Sequence, residues 1–387
     1  MSFSILEEKL KLPIPGKGSK TSISGHFKPV ILICFVAAAS TLLVWLPFWI
    51  EKRMDLVFAN FDGPNYLAIS KCWYNKTCIG KSFSLPQPLE YYPAHLPGYP
   101  LLISFFNRFL PGWWAMLVAN SAAGSIAAAL IYLLLEQLKI KGSFRLALIW
   151  LFLPARMIIL RSIGAPETMF IGAIAASILF FRKKQYLLCG LFLAIAQIIK
   201  TPAVILFAAY CLTTLLTDKF KPKEWLKKWP LLLGPAAILA TFFFYYRQTG
   251  DFFAYFHSGD NFHLFFPPFQ SFLGSQSWLG GDFWLEDIVY VYLLGGLAVV
   301  YLVKKYKSDI IAVFPAIFYL STLFVAHRDI SRYSSPLYLF WLIAFAPVVR
   351  KKEFCWLLVI ILPAIYLYAF NFIGHNTTPV ADWTPYL

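Results

Sequence analysis

Long, predominantly apolar stretches recur along this chain at 29–50, 112–135, 144–160, 165–181, 185–199, 202–217, 229–246, 285–303, 309–326, 333–349 and 354–373. A helix needs about 20 apolar residues to cross a bilayer core. The pattern therefore predicts an all-α polytopic membrane protein with about 11 transmembrane helices. A membrane barrel would instead show ~10-residue segments of alternating polarity. The stretches 165–181 and 185–199 are short and predict tilted or kinked helices. Prolines punctuate them: "RSIGAPETMF" breaks a helix at Pro166, and "KTP" does so at Pro202.

The charges between these stretches predict an orientation. Lys9, Lys11, Lys17, Lys20 and Lys28 precede the first stretch. Lys139, Lys141 and Arg145 follow the second, and Arg182, Lys183 and Lys184 the fourth. Lys219, Lys221, Lys223, Lys227 and Lys228 come next, then Lys304, Lys305 and Lys307, then Arg350, Lys351 and Lys352. Counted span by span, every cluster falls on one side, which the positive-inside rule makes cytoplasmic. Residues 1–28 form a basic cytoplasmic segment without the apolar core of a signal peptide. Residues 29–373 read as one transmembrane domain with outer loops 51–111 and 247–284, and 374–387 as a non-cytoplasmic tail.

Composition supports the membrane reading, with 59% of the 387 residues hydrophobic and 14% charged. The net charge of +15 is loop charge and implies no nucleic acid. Cys34, Cys189, Cys211 and Cys355 sit in apolar stretches, where cysteine acts as a small hydrophobe. Cys72 and Cys78 are a candidate disulfide if their loop faces an oxidising compartment. No cysteine or histidine spacing predicts a zinc site.

The basic loops are short, whereas the opposite ones are long and rich in aromatics, prolines and acids. A scaffold-held loop is where function concentrates. The expected topology gathers Asp62, Glu90, His95, Arg156, Arg161, Glu167, Lys200, Asp260, His263, Asp282, His327, Arg328, Asp329 and Arg332 at that face. Ionisable groups near a bilayer are costly and so are functional candidates. Asp62 stands in "FDGPNYLAIS", where Gly-Pro opens a short amphipathic helix predicted to lie along the membrane surface. The alternative for Asp62 is a helix N-cap. "LEYYPAHLPGYPLLI", residues 89–103, reads as a rigid aromatic return carrying Glu90, Tyr92, His95 and Tyr99. Glu90 is a candidate second acid or a ligand for sugar hydroxyls. "AHRDISRY" puts His327, Arg328 and Arg332 at the outer end of a span, with Arg328 and Arg332 sharing a helical face. Cations on the wrong side for orientation suit a lipid phosphate; an ion pair with Asp329 is the plainer alternative. Lys200, Arg161 and Arg156 are candidates for the same pocket. An acid facing cations suggests a transferase, in which a carboxylate takes a hydroxyl proton and cations stabilise a departing phosphate.

These motifs together resemble the GT-C superfamily of integral-membrane glycosyltransferases, and within it the PIG-V-like GPI mannosyltransferases and related bacterial membrane mannosyltransferases. The family's first-loop "D-x-x-x-Y-x-x-I-A" segment is matched by Asp62, Tyr66 and Ile69, with Ser70 in the last place. Its "F-P-x-Y-P" return is matched by Tyr92, Pro93 and, after an insertion, Tyr99 and Pro100. Its "S-E-x-x-F" segment is matched by Pro166, Glu167 and Phe170. The resemblance implies inverting transfer of a sugar, typically mannose, from a polyprenyl-phosphate donor to a lipid or glycan acceptor. Asp62 would be the base, with Glu90 the second acid. His327, Arg328, Arg332, Lys200 and Arg161 would bind donor phosphate, and Tyr92, His95, Tyr99 and Glu167 acceptor or sugar. No Asp-x-Asp or Glu-x-Asp pair stands out, many relatives of this kind need no metal, and no cofactor is assigned. The short basic loops suit a bacterial inner membrane with a periplasmic site, or an endoplasmic reticulum membrane in a eukaryote, where the sequons at Asn75 and Asn376 would face outward.

Three other readings compete. A lipid or oligosaccharide flippase would show inverted repeats and paired broken helices, an assembly scaffold would use the outer loops for docking, and a phosphoethanolamine transferase would need a soluble metal-binding domain.

Overall fold

The computed structural model describes residues 24–279 and 285–386, with the side chains of residues 24 and 25 undescribed. The lysines at 9, 11, 17 and 20, most of the basic segment 1–28 and Asp282 lie outside those residues. The described chain is helical throughout, with isolated bridges at Asn60–Thr377 and Leu264–Val325 in place of strands.

Every apolar stretch of the sequence forms helix, but not every one forms a full span. Five helices are long and apolar enough to cross a bilayer: His26–Ile50, Gly112–Gln137, Trp229–Thr249, Glu286–Tyr306 and Lys352–His375. These make the chain an integral membrane protein. Tyr186–Ile199, Ala203–Asp218, Ile310–Thr322 and Ser335–Val349 are shorter. At 1.5 Å rise per residue such helices fall short of the ~30 Å core unless the chain around them adjusts.

The stretch expected at 144–160 is broken. Ser143–Trp150 stops short of Pro154, and Arg156–Ser162 follows. The chain then bends by 104° into Glu167–Arg182. Broken helices free backbone carbonyls, which need partners wherever water is scarce. Asn120, on the innermost span, donates to the carbonyls of Leu160 and Ile163 and accepts from Thr168 Oγ1 at 2.8 Å. Trp45 Nε1 donates to Ser162 O at 2.7 Å. Arg161 closes the earlier break by donating to Leu151 O at 3.0 Å. A second broken span to pair with this one is not seen among the described residues.

Small residues let the core helices approach. Gly172 backs onto Ala127, where a Cβ would sit 3.1 Å from the alanine methyl. The basic loops meet at one end of the bundle, where Arg145 Nη1 donates to Arg350 O at 2.7 Å and Arg182 pairs with Asp309.

At the other end, residues 51–111 fold as a cap of short helices. Gly63–Cys72 was expected to lie amphipathically on the membrane surface. Instead it is buried from Gly63 through Ser70 and again at Cys72, because Gly98–Phe106, Gly112–Gln137 and Lys76–Ser82 pack around it. Cys72 and Cys78 form a disulfide. The tail returns to the cap: Thr378 N donates to Ala59 O at 2.8 Å, and Thr378 Oγ1 to Phe61 O at 2.6 Å.

Replacing Asn120 with leucine strands two buried carbonyls, at about 1–3 kcal/mol each. Asn120→Leu should clearly lower the thermal unfolding midpoint in detergent. Gly374→Ala, whose new methyl meets nothing within 4 Å, should leave it unchanged.

Candidate active site

The first acid of the site is placed by a close backbone approach. A Cβ on Gly164 would lie 2.9 Å from the Gly63 Cα and 2.3 Å from Met116 Sδ. Only glycine lets the bend at 163–166 press against the start of helix Gly63–Cys72. That contact brings Asp62 and Glu167 to the same spot. Phe61 takes a left-handed backbone, φ 50°, which is costly for a bulky residue and is characteristic of functional sites. Asp62 occupies the N-cap position but makes no capping hydrogen bond. Its carboxylate turns to side chains instead.

Arg332 is the centre of the cluster. Its Nε donates to Glu167 Oε1 at 2.7 Å, and its Nη2 lies 3.5 Å from Asp62 Oδ2. Lys200 Nζ donates to the same Glu167 oxygen at 2.7 Å. His95 Nε2 stands 3.7 Å from Asp62 Oδ1. The Arg332 guanidinium lies over the Phe61 ring, 4.2 Å from its centroid. Behind it, Arg156 lies over Phe372 at 4.1 Å and pairs with Asp329. Asp329 also caps the helix Ile330–Tyr333, accepting from Arg332 N at 3.4 Å.

Asp62, His95, Lys200 and Arg332 border a cavity of about 310 Å³. Its walls are mixed: Asp62, Tyr66, Tyr91, His95, Lys200 and Arg332 supply polar groups, and Ile199, Val204, Ile205, Leu264, Phe318 and Val325 apolar ones. Two carboxylates balance two firm cations, Lys200 and Arg332, with Glu167 behind the cavity wall and Asp62 facing the cations as the sequence led one to expect. Burial pushes the Asp62 carboxyl up, but His95, Arg332 and Lys200 together outweigh it and hold the group well below the usual carboxylate range. Asp62 is thus ionised at neutral pH. Burial and the Asp62 charge push the Tyr91 hydroxyl up to about 12, so it stays a donor.

The other sequence candidates spread widely. Glu167 is buried beneath the cavity as the shared counter-ion, with its Oε2 unpartnered. Glu90 is exposed and paired with Lys76 at 2.9 Å, and it does not line the cavity. Tyr92 is buried outside the cavity lining. Tyr99 is buried too; it donates to Met116 O at 3.2 Å and packs edge-on against Tyr66. Arg161 is also outside the lining, its guanidinium bonded to Ala37 O, Thr41, Ser40 and Leu151 O. Arg328 and Arg332 do not share a helical face as expected: the helix begins at Ile330, after Arg328, which is exposed. His327 does not act as a cation. Burial first, and His263 next, lower it to about 4, and its Nδ1 accepts from Asp329 N at 2.9 Å.

The site also contains residues that the sequence reading passed over. Tyr255 and Asn261 line the cavity from the connection between Trp229–Thr249 and Glu286–Tyr306, and the Arg332 guanidinium lies over the Phe61 ring. The signal for the first two was a connecting loop unusually dense in aromatics. Among the described residues no three His, Cys, Asp or Glu side chains cluster as metal ligands.

No family model and no curated protein matches this sequence. Among the solved structures that share its architecture are two of one protein. ArnT from Cupriavidus metallidurans bound to undecaprenyl phosphate superposes with a TM-score of 0.53 at 14% identity, covering 89% of this chain and 64% of that one. The same protein in its apo state gives 0.50 at 14% identity, covering 87% and 62%. The fold is like that of ArnT. The chain spans a little under two thirds of ArnT, and at this identity the likeness is one of fold.

The neutral His327 predicts a pH signature. Its folded value lies below its unfolded value near 6.5, so the unfolded chain binds the extra proton between about 6.5 and 4. Stability therefore falls as pH drops through that window. The depressed Asp62 adds nothing there, because its loss comes at lower pH. His327→Gln should flatten the fall of the thermal midpoint between pH 7 and pH 4.5 relative to wild type.

Proposed function

We propose that this protein is a membrane glycosyltransferase. It moves a sugar, mannose by the family resemblance, from a polyprenyl-phosphate-linked donor to a lipid or glycan acceptor at the non-cytoplasmic face. The observation that carries the reading is one cavity bordered by an ionised carboxylate and by two cations, with apolar side chains in its walls. A fold relative that holds undecaprenyl phosphate supports a lipid-phosphate ligand. The basic loops at the opposite end of the bundle support the orientation. A bacterial inner membrane is the setting that the short basic loops suit.

In this reading the acceptor hydroxyl attacks the anomeric carbon from the face opposite the phosphate, inverting it. The carbon–oxygen bond to phosphate breaks, and the electron pair leaves on phosphate oxygen. The hydroxyl proton goes to Asp62. A phosphodiester donor carries about one negative charge, and the released monoester carries about 1.5–2 at neutral pH. Arg332 and Lys200 therefore bind the leaving group more strongly than the donor, which is the condition for catalysis by charge stabilisation. As Arg332 turns toward phosphate it leaves Asp62, whose basicity rises just when a proton must be taken. His95 and Tyr91, beside Asp62, are placed to orient acceptor hydroxyls. Glu167 fixes both cations from below.

The bent span at 163–166 is a feature that a flippase would share, and turnover separates the two readings. With a polyprenyl-phosphate sugar and membrane lipid acceptors, Asp62→Asn should lose about 10²- to 10⁴-fold in transfer rate while still folding. Transfer undiminished in that variant, or no transfer by wild type alongside measurable lipid translocation, overturns the proposal.

A further inference from the structure

The connection between the spans Trp229–Thr249 and Glu286–Tyr306 is built unlike a water-facing loop. From Asn261 to Gly281 it holds no Asp, Glu, Lys or Arg, and it includes "FHLFFPPF" at 262–269. Its rings point outward: Phe266 is 87% exposed, and Phe265, Phe269 and Leu264 are exposed as well. Leaving several aromatic rings in water costs about 25 cal/mol for each Å² of apolar surface. Isolated exposed apolar residues are ordinary, but a contiguous patch marks a contact surface.

The patch continues a surface that already faces lipid. Leu239, Phe243 and Tyr246 are exposed along the span Trp229–Thr249, and Phe253, Phe256 and Phe262 carry the apolar face past its end. Phe242 packs edge-on against Phe252 and Phe256, 5.6 Å from each, so span and loop share one aromatic layer.

The backbone is prepared for a dry setting too. Lipid tolerates irregular chain only where its polar groups are satisfied. Phe265 N donates to Phe324 O at 2.9 Å, Phe269 N to Leu323 O at 2.8 Å, and Ala326 N to His263 O at 2.8 Å. Pro267 and Pro268, between them, have no N–H to satisfy. Ser271 Oγ adds bonds to Val325 O at 2.9 Å and His327 O at 3.0 Å. The loop is thus zipped to the segment that leads to Arg332, and through Phe262, His263 and Leu264 it forms one wall of the cavity.

We infer that residues 262–269 form a membrane-inserted wedge, with Phe265, Phe266 and Phe269 seated in the lipid leaflet at the site end of the bundle. The partner is the bilayer itself. The wedge sets the lip of the cavity at lipid depth, so a lipid-borne ligand reaches it without crossing water. This placement does not depend on the reaction proposed above.

The test uses the wild-type protein in phosphatidylcholine–phosphatidylglycerol liposomes doped with a lipid bearing a diazirine on its acyl chain. After photolysis, peptide mapping compares label at 264–269 with label at Phe243, which faces outward on a span, and with the exposed Lys76–Glu90 segment. Label at 265, 266 and 269 on the scale of Phe243, with little on Lys76–Glu90, is the expected result. A Phe265→Ser, Phe266→Ser variant should lose label at the wedge and keep it at Phe243. Label at 264–269 no higher than on Lys76–Glu90 overturns the inference whether or not the protein transfers sugar.

Discussion

Arg332 is shared between two carboxylates from distant parts of the chain, and the site depends on that sharing. Glu167 begins a half-helix after a sharp bend, and Asp62 follows the first span by a dozen residues. A guanidinium presents several donors in a fixed plane, so one group can bond Glu167 through Nε and face Asp62 through Nη2. Lys200 helps Arg332 hold Glu167 ionised, and His95 helps it hold Asp62. Removing the bridge would leave Glu167 with Lys200 alone, and Asp62 with His95. The resting site is thus a set of ion pairs placed to exchange partners.

The fold exists largely to make that meeting possible. The chain breaks a membrane helix at 163–166 and satisfies the freed carbonyls with Asn120 and Trp45. It spends a glycine, Gly164, on a backbone approach that a side chain there would block. It sets Phe61 in a left-handed conformation so that the ring lies under Arg332. The tail then closes over Phe61. Each is a local cost, and each fixes the position of one charged group.

Much of this was legible in the sequence, for definable reasons. Apolar stretches report helices well, since a bilayer allows few alternatives, and all of the predicted stretches are helical. Pro166 and Pro202 marked real helix starts. Asp62, His95, Lys200 and Arg332 could be nominated because a charge beside a membrane needs a reason. What escaped was whatever depends on three-dimensional neighbours. Arg161 looked like a phosphate ligand yet serves the backbone, because nothing in sequence shows that Leu151 O is left without a helical partner. Glu90 looked like a second acid but is held outside by Lys76. Glu167 carries the sharper lesson: its role as a counter-ion to two cations follows only once the bend has turned its helix start inward. Helix length also misled, since a run of apolar residues does not say whether a break falls inside it.

The most direct measurement is the affinity of the purified protein for a polyprenyl phosphate. If the guanidinium of Arg332 is handed from carboxylate to phosphate, Arg332→Gln should weaken binding by about tenfold or more, the worth of a charge-assisted hydrogen bond. Asp62→Asn, which removes the charge facing Arg332 Nη2 and leaves the bond to Glu167, should bind the phosphate at least as tightly as wild type. Equal weakening by both variants, or indifference to Arg332, would contradict the account.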